Sequence, residues 1–498
     1  MAKLSLLCSL SVCFLILFHA QAYQQSQRQS RCQVQNINAL EPTQNVQSEA
    51  GETEHWDQNN EQLECAGVSV TRHTIQPRGL LLPHYHNAPK LTYVTQGRGM
   101  HGAAIPGCPE TFQSSRQYEQ QQQPQYPSEQ GKGQEEPSEQ VQGQEETSEQ
   151  GQGQEKRYTQ GDQHQKVRQI RQGDIVASPV GVANWFYNDG ETPLVLVTLL
   201  DTSNNENQLD DNRRTFYLGG NPQEQRQQQG GSPFQQPPGS QQESSSGNIL
   251  TGMDKRILAA IFGVRQETVS KLMGENDNRG SIVQVENGLG VIRPPRVGEQ
   301  EQEKEEPQGR PNRLEESLCN MRLRINIDNP SHVDVYNPQA GRINRINSRK
   351  LPILRAFNLN VERGVLYRNA LMVPHWNLNA HSIIYATRGS AQVQIVGNYE
   401  KPIYDGELKQ DQLIVVPQNF AVVKKAKDQG FEWVAFKTND NAIVNPLAGM
   451  TSAIRAMPEA IIQNSFRVSN EEAKRIKYNT EELELLAPRV QSEQRDIA

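Results

Sequence analysis

Pro83-His84-Tyr85-His86 leads to Tyr93-Val94-Thr95-Gln96-Gly97 in the first half of the chain. An altered copy lies in the second half, where Pro374-His375-Trp376-Asn377 leads to Tyr385-Ala386-Thr387-Arg388-Gly389. Both copies are rich in aromatic and β-branched residues and end at a glycine, which is the pattern of short strands separated by turns. Helical periodicity is confined to residues 252–274 and 449–479, and one such stretch follows each copy. The sequence therefore predicts a mainly β chain with two copies of one domain, each followed by a small helical extension.

The first copy is longer than the second because polar sequence interrupts it. The interval from His84 to Pro179 is 95 residues, whereas the matching interval from His375 to Pro417 is 42 residues. The excess of 53 corresponds to a Gln- and Glu-rich stretch at about residues 111–166, which contains three tandem ten-residue repeats. Such a stretch buries too little apolar surface to offset the entropy of ordering, so we expect a disordered insertion in a surface loop.

Two further segments have the same character. One spans about residues 204–247 and is predicted to be a second disordered insertion, and the other, residues 297–312, is predicted to be a disordered linker. The whole chain contains 58 Gln and 37 Asn among 498 residues, so its side chains are rich in nitrogen. We expect a folded body that carries amide-rich passengers.

The composition excludes several classes of protein. Hydrophobic residues make up 35% of the chain, the formal net charge is −7 and the mean hydropathy is −0.75, so neither a membrane partner nor whole-chain disorder is expected. Basic residues are not interleaved with aromatic ones, so no nucleic-acid partner is expected. The densest basic run, Lys424-Lys425-Ala426-Lys427, is expected to be a solvated turn.

The N-terminal residues predict entry into the secretory pathway. A basic start and an apolar run from Leu4 to Phe18 precede Ala20-Gln21-Ala22, which indicates a signal peptide at residues 1–22 and a mature chain that begins at Tyr23. Four cysteines remain after cleavage, so two disulfides are expected and three pairings are open. No Cys-x-x-Cys spacing indicates a zinc site; the four are Cys32, Cys65, Cys108 and Cys319.

Two motifs resemble those of the cupin family, small antiparallel jelly-roll barrels that often hold a metal ion. The first motif, G-x5-H-x-H-x3,4-E-x6-G, finds His84 and His86 in the first copy, but Lys90 stands at the position of the glutamate ligand. The second motif, G-x5-P-x-G-x2-H-x3-N, matches Gly173, Pro179, Gly181 and Asn188, with Asn184 at the position of the histidine ligand. In the second copy His375 and Pro417 remain, and the departures are Asn377, Ser382, Asp411, Asn419, Val422 and Ala426.

The ligand count decides how the resemblance is interpreted. A catalytic metal needs three or four converging N or O ligands. The first barrel keeps two and adds an ammonium, and the second keeps one. We therefore interpret His84, His86 and His375 as relict ligand positions, and we expect no cofactor and no catalysis. A secreted metal-dependent cupin enzyme and a cupin that binds a small ligand in its barrel remain the alternatives.

A third motif narrows the family. Asn312-Arg313-Leu314-Glu315-Glu316-Ser317-Leu318-Cys319 resembles the processing junction of legumin-type (11S) seed storage globulins, in which Gly usually follows the Asn. The resemblance implies cleavage after Asn312 by an asparaginyl endopeptidase, which Arg313 could slow. It also implies the disulfides Cys32–Cys65 and Cys108–Cys319. Residues 23–312 carry 25 basic and 37 acidic residues, and residues 313–498 carry 24 and 20, like the family's acidic and basic chains.

These expectations define a domain plan and a function. We expect an N-terminal cupin domain at about residues 32–290 of the acidic chain and a C-terminal cupin domain at about residues 320–485 of the basic chain. The resemblance implies a nutrient reservoir in the protein storage vacuole of a seed. It also implies a trimeric precursor, a hexamer after processing, and possible allergenicity.

Overall fold

The structure is a computed structural model, and the residues that it describes form two β-barrels with helical extensions. It describes residues 32, 34, 36–108, 112–113, 163–165, 167–222, 248–290, 319, 321–399 and 401–488. The predicted fold class, two tandem cupin barrels, is confirmed. The signal peptide, the linker and most of both insertions lie outside the described residues.

The N-terminal barrel is built from two antiparallel sheets. Its strands are β1 Gln44–Ser48, β2 Gly51–His55, β3 Val68–Ile75, β4 Gly79–His86, β5 Lys90–Gln96, β6 Arg98–Ala104, β7 Phe112–Gln113, β8 Gln163–His164, β9 Val167–Arg171, β10 Asp174–Ser178, β11 Ala183–Tyr187, β12 Leu194–Asp201, β13 Thr215–Tyr217, β14 Ile282–Gln284 and β15 Arg324–Asn326. One sheet has the order β1-β2-β3-β12-β5-β10-β15. The other has the order β13-β4-β11-β6-β9, with β14 also paired to β4, while β7 and β8 pair with each other.

The C-terminal barrel repeats the plan with longer strands. Its strands are β16 Val333–Asn337, β17 Gly341–Ile346, β18 Asn360–Leu366, β19 Leu371–Asn377, β20 Ser382–Val396, β21 Tyr404–Lys409, β22 Leu413–Val416, β23 Ala421–Lys437, β24 Val444–Pro446 and β25 Leu485–Leu486. The path runs β16-β17-β18-β23-β19-β24, and β20 pairs with β21, β22 and β23. The basic run that was expected to be a solvated turn lies inside β23, and Lys424 is buried there, so that prediction is wrong.

Helices surround the barrels. They are α1 Glu61–Ala66, α2 Lys255–Phe262, α3 Gln266–Leu272, α4 Leu354–Phe357, α5 Ala453–Ala456, α6 Glu459–Phe466 and α7 Asn470–Tyr478, with 3-10 turns at Ile249–Gly252 and Pro330–His332. Asp254 caps α2 by accepting bonds from two backbone N–H groups, and Ser469 with Glu472 forms a capping box on α7. None of the helices in the described part of the chain combines the length and apolar character that crossing a bilayer requires.

Left-handed turns mark the same points in both barrels. Gly173 has φ +87° and its counterpart Asp411 has φ +67°. Gly181 has φ +70° and its counterpart Asn419 has φ +67°. Asp and Asn tolerate the left-handed region better than other residues with a side chain. The second barrel therefore keeps the turn geometry of the cupin motif although it has lost the glycines.

The two barrels exchange short segments. Backbone N–H groups of Leu40 and Leu413 donate to each other's carbonyl oxygens at 2.6 and 2.9 Å, and Val34 and Ile37 belong to the apolar core of the C-terminal barrel. In return, β15 from the C-terminal half pairs with β10 of the N-terminal barrel. The two barrels therefore do not coincide with two uninterrupted stretches of sequence. A third apolar cluster, with residues from both barrels, fills the space between them.

The second insertion begins later than expected. Residues 204–222 are folded, and β13 pairs with β4 of the barrel, so the prediction that disorder starts near residue 204 is wrong. Asn204 is buried and donates from Nδ2 to the Phe357 carbonyl at 2.7 Å. Asn and Asp side chains accept backbone N–H bonds through much of this loop, which replaces the apolar contacts that the sequence lacks.

Candidate functional site: the interiors of the two barrels

In the N-terminal barrel, the histidine at the first ligand position hydrogen-bonds to a lysine. Because Leu82 carbonyl accepts from His84 Nδ1 at 2.7 Å, His84 Nε2 carries the lone pair and accepts from Lys90 Nζ at 2.9 Å. Both side chains are buried, at 2% and 3% exposure. The ammonium therefore already uses the nitrogen that a metal ion would need.

Burial lowers the pKa values of Lys90 and of the histidines around it. It lowers the pKa of Lys90 to about 7. Burial, followed by the charge of Lys90, holds the pKa of His84 and of His86 well below the usual range. The same two causes lower the pKa of His101 to about 3. All three histidines are neutral in the folded barrel at neutral pH.

The residues of the second motif support the backbone. Asn184 stands where a histidine ligand belongs, and its Nδ2 donates to the carbonyls of Val182 and His84 at 3.0 and 3.2 Å. Asn188 Nδ2 donates to the carbonyls of Ile75 and Thr192 at 2.8 and 2.9 Å. Its Oδ1 accepts from the N–H of Gly190. These contacts connect strands and a turn, so Asn184 and Asn188 both stabilise the backbone of the barrel.

The C-terminal barrel places a different lysine in its interior. His375 is buried and donates from Nδ1 to the Val373 carbonyl at 2.9 Å. Burial, with the charge of Lys424, lowers its pKa to about 3. Lys424 Nζ lies 5.0 Å from the centre of the Trp433 ring and 3.5 Å from Met372 Sδ. The side chains at the other two ligand positions of the first motif, Asn377 and Ser382, are buried and uncharged.

A buried ion-pair network lies near Lys424. Lys437 Nζ and Arg345 Nε contact Glu362 Oε2 at 2.9 and 3.0 Å, and Arg345 Nη2 contacts Glu484 at 2.6 Å. Burial alone would raise the pKa of Glu362, but the charges of Lys437 and Arg345 outweigh it and hold that pKa well below its usual range. Glu362 and Glu484 are thus both paired with cations of the chain itself.

The residues do not fit a cupin metal in either barrel. Each interior provides fewer than three motif ligands and adds an ammonium, which repels a cation. Within the described residues, the one group of three potential ligands is Cys32, Cys65 and His381. Its two cysteines form a disulfide and provide no thiolate. We derive no chemical step through a metal.

The described residues form two disulfides, and their pairing is the one that the resemblance implies. Cys32 bonds to Cys65 in α1, which ties the segment on the C-terminal barrel to a helix of the N-terminal half. Cys108 bonds to Cys319 across a sequence separation of 211 residues. The residues at the predicted cleavage sites, Ala22, Tyr23, Asn312 and Arg313, lie outside the described part of the chain.

Sequence reasoning missed the role of Lys424. A period-2 pattern was present, because Val422, Lys424 and Ala426 all face inward on β23. Glu362 and Lys437, the ion pair near Lys424, lie 75 residues apart in sequence, and no local signal connects them.

Comparison with known proteins agrees with the fold. The Cupin family profile matches residues 37–224 and 325–474. The "11S globulin seed storage protein Ana o 2.0101" of Anacardium occidentale is 46% identical over 501 residues, covering 98% of this chain and 100% of the relative. The crystal structure of the coconut allergen cocosin is 42% identical, covers 92% of this chain and 100% of its own, and superposes with a TM-score of 0.73. For procruciferin, an 11S globulin from Brassica napus, the values are 38%, 92%, 99% and 0.75.

These similarities extend over nearly the whole chain, and the relatives are named as storage proteins. A storage role also agrees with barrels that have lost the ligands of a catalytic metal. The chain therefore belongs to the cupin family and, within it, to the 11S seed storage globulins, and its function is storage rather than catalysis.

Proposed function

We propose that the chain is a precursor that an asparaginyl endopeptidase cuts after Asn312 into an acidic chain, 23–312, and a basic chain, 313–498. The sequence before the cut is polar and predicts an accessible substrate. The observation that carries the proposal is the Cys108–Cys319 disulfide, because it joins the two products across the cut.

The segment exchange between the barrels supports the same proposal. After the cut, β15 belongs to the basic chain but remains paired with β10 of the acidic chain. Leu40 belongs to the acidic chain and pairs with Leu413 of the basic chain. Cleavage would then leave both barrels complete, which is what a storage protein needs in order to stay folded until it is mobilised.

The helical extensions support assembly into a ring of three chains. Both extensions expose large apolar side chains, which isolated soluble proteins rarely display in groups. They include Ile257, Ile261 and Phe262 on α2 and Ile461 and Phe466 on α6. Two similar extensions on one chain favour a head-to-tail contact, and such a contact forms a closed ring when the rotation between neighbouring chains closes. The resemblance sets the number at three for the precursor and six after cleavage.

The proposed destination is the protein storage vacuole. A signal peptide with Ala22 and Tyr23 at its cleavage site would deliver the chain to the secretory pathway. The Gln-rich insertions would then supply nitrogen when proteases of the germinating seed open them. Because related proteins include the coconut allergen cocosin, allergenicity is part of the proposal.

Electrophoresis of the protein extracted from seed tests the proposal. We expect one band without reductant and two bands with it, and we expect Asn312→Gln to give one band in both conditions. Arg313→Gly is the matched control and should be cut at least as fast as the native sequence. A native chain that stays whole after reduction would contradict the proposed processing.

A further inference from the structure

Lys90 points into the N-terminal barrel. On β5, Val94 belongs to the interior apolar cluster, whereas Leu91 and Tyr93 belong to the cluster between the barrels. Because side chains alternate along a strand, Lys90 and Thr92 face the interior with Val94. The Lys90 ammonium is therefore enclosed by the barrel, and Phe186 lies 6.0 Å from it.

Among the described residues, this ammonium has no counter-charge. Its hydrogen-bond partner is the neutral His84 ring, and no carboxylate of the described residues contacts Nζ. An isolated buried charge is costly unless it is paired. Lys424 in the other barrel differs, because the carboxylates of Glu362 and Glu484 favour its charged form. The N-terminal barrel therefore contains a cation that no carboxylate in the described part of the chain neutralises.

Buried polar atoms without partners lie around the same position. Ser178 is paired with Lys90 on the adjacent strand, so the two side chains leave the sheet on the same face. Ser178 Oγ, His86 Nδ1 and His101 Nε2 are buried and have no hydrogen-bond partner. Each of these atoms can donate a hydrogen in the appropriate rotamer or tautomer. Asn184 Oδ1 is also unpartnered, but it can only accept.

Two ring contacts and an electrostatic effect place the histidine donors near Lys90. The rings of His84 and His86 are 5.1 Å apart, and the rings of His101 and Phe186 are 4.7 Å apart. The charge of Lys90 also depresses the pKa of both His86 and His101. The unpaired cation and the unpaired donors thus belong to one cluster inside one barrel.

We propose that the interior of the N-terminal barrel binds a small monovalent anion on the Lys90 ammonium, with Ser178, His86 and His101 as further hydrogen-bond donors. The site lies where the cupin fold would hold a metal cation, and its charge preference is reversed. The proposal is independent of processing and assembly, and it adds a ligand to a chain whose storage role needs none.

Titration of the purified full-length protein with anions tests the proposal. At pH 6 and constant ionic strength, sodium gluconate is replaced stepwise by sodium formate or sodium chloride while the unfolding temperature is measured. We expect a saturable rise that Lys90→Met abolishes and that Ser178→Ala shifts to roughly tenfold higher anion concentration, as loss of one hydrogen bond to a charged group predicts. Lys424→Met is the matched control and should keep the response.

A second measurement needs no substitution. We expect the native protein to broaden the ³⁵Cl resonance of chloride and formate to reverse the broadening. The proposal is overturned by a native protein without a saturable response, by the same response in Lys90→Met, or by broadening that formate does not reverse. Stoichiometric retention of Zn²⁺ by His84 and His86 in equilibrium dialysis would also overturn it, because the site would then be a cation site.

Discussion

Arg72 on β3 donates a hydrogen bond from Nη1 to the hydroxyl of Tyr385 on β20, at 3.0 Å, and this bond joins the two barrels. The Tyr385 hydroxyl in turn donates to Asp411 at 2.7 Å. Arg72 also forms ion pairs with Glu54 and with Asp411. Because each partner satisfies another, the Tyr385 ring is fixed in the apolar layer between the barrels.

The internal repeat produces a second set of Tyr, Arg and Asp side chains related to the first. Tyr93 is the counterpart of Tyr385, and its hydroxyl lies 3.4 Å from Asp328. Arg363 is the counterpart of Arg72, and its Nε lies 3.3 Å from Asp328. Each barrel thus contributes an Arg that points toward the Tyr of the other barrel. The two sets, Arg72 with Tyr385 and Arg363 with Tyr93, follow the internal repeat of the sequence.

These hydrogen bonds predict that two conservative substitutions lower the free energy of unfolding by unequal amounts. We expect Tyr385→Phe to lower the free energy of unfolding by about 1 kcal/mol, because it removes a 2.7 Å and a 3.0 Å hydrogen bond. Tyr93→Phe removes a weaker 3.4 Å contact and should cost less. Denaturant unfolding of the three proteins measures the difference. Equal costs, or a larger cost at Tyr93, would contradict the assignment.

Buried histidines predict that the N-terminal barrel is the more acid-sensitive of the two. Burial lowers the pKa of five of its histidines, His55, His73, His84, His86 and His101, against two, His375 and His381, in the other barrel. The unfolded chain takes up protons on these side chains below about pH 6.5, whereas the folded chain does not. Their contribution to stability is therefore present above that pH and is lost as pH falls, by up to about 1.4 kcal/mol per pH unit for each histidine.

Hydrogen exchange measured at pH 5 and at pH 7 checks this prediction. We expect the protection of β4, β6 and β11 to fall more on acidification than that of β19, β20 and β23. Earlier loss of protection in the C-terminal barrel would show that the buried histidines do not control acid opening.

The burial of Lys90 predicts that the stability of the folded chain depends on pH above neutrality. Burial lowers its pKa to about 7, against about 10.5 in the unfolded chain, so the unfolded state binds the extra proton between these values. Stability due to this residue should therefore rise with pH from about 7 to 10, at up to about 1.4 kcal/mol per unit. Lys90→Met should remove that slope, whereas Lys425→Met, at an exposed position, should keep it. Parallel curves for native protein and Lys90→Met would contradict the burial argument.

The exchanged segments predict that the cut chains do not depend on their disulfide for association. In the intact chain β15 pairs with β10 and Leu40 pairs with Leu413, and a cut after Asn312 would sever neither pairing. We expect size-exclusion chromatography of the cleaved protein in reductant, without denaturant, to show acidic and basic chains in one peak. Separate peaks would mean that the Cys108–Cys319 bond alone holds them together.

Local and repeated features of this fold could be predicted from the sequence. The duplicated strand pattern, the relict ligand positions around His84 and His375, and the capping box at Ser469 all depend on residues close together in sequence. Each of these features is specified by a short stretch of chain, so a short stretch was sufficient to find it.

Features that depend on distant partners could not be predicted. The exchange of segments between barrels joins residues hundreds of positions apart, such as Leu40 and Leu413. Lys424 was assigned to a turn because three lysines in four residues suggest solvent, yet its neighbours in space are Trp433 and the Glu362 network. The polar sequence of residues 204–222 predicts disorder because it provides little apolar surface to bury. Side-chain hydrogen bonds order this segment instead.

This chain keeps the cupin architecture for storage and lacks the full ligand set of the metal site that the fold often holds. Metal analysis of the purified protein, prepared without chelator and measured by inductively coupled plasma mass spectrometry, tests this interpretation. We expect a transition-metal content well below one ion per chain, unchanged by His84→Ala. One tightly bound transition-metal ion per chain, lost in His84→Ala, would contradict it.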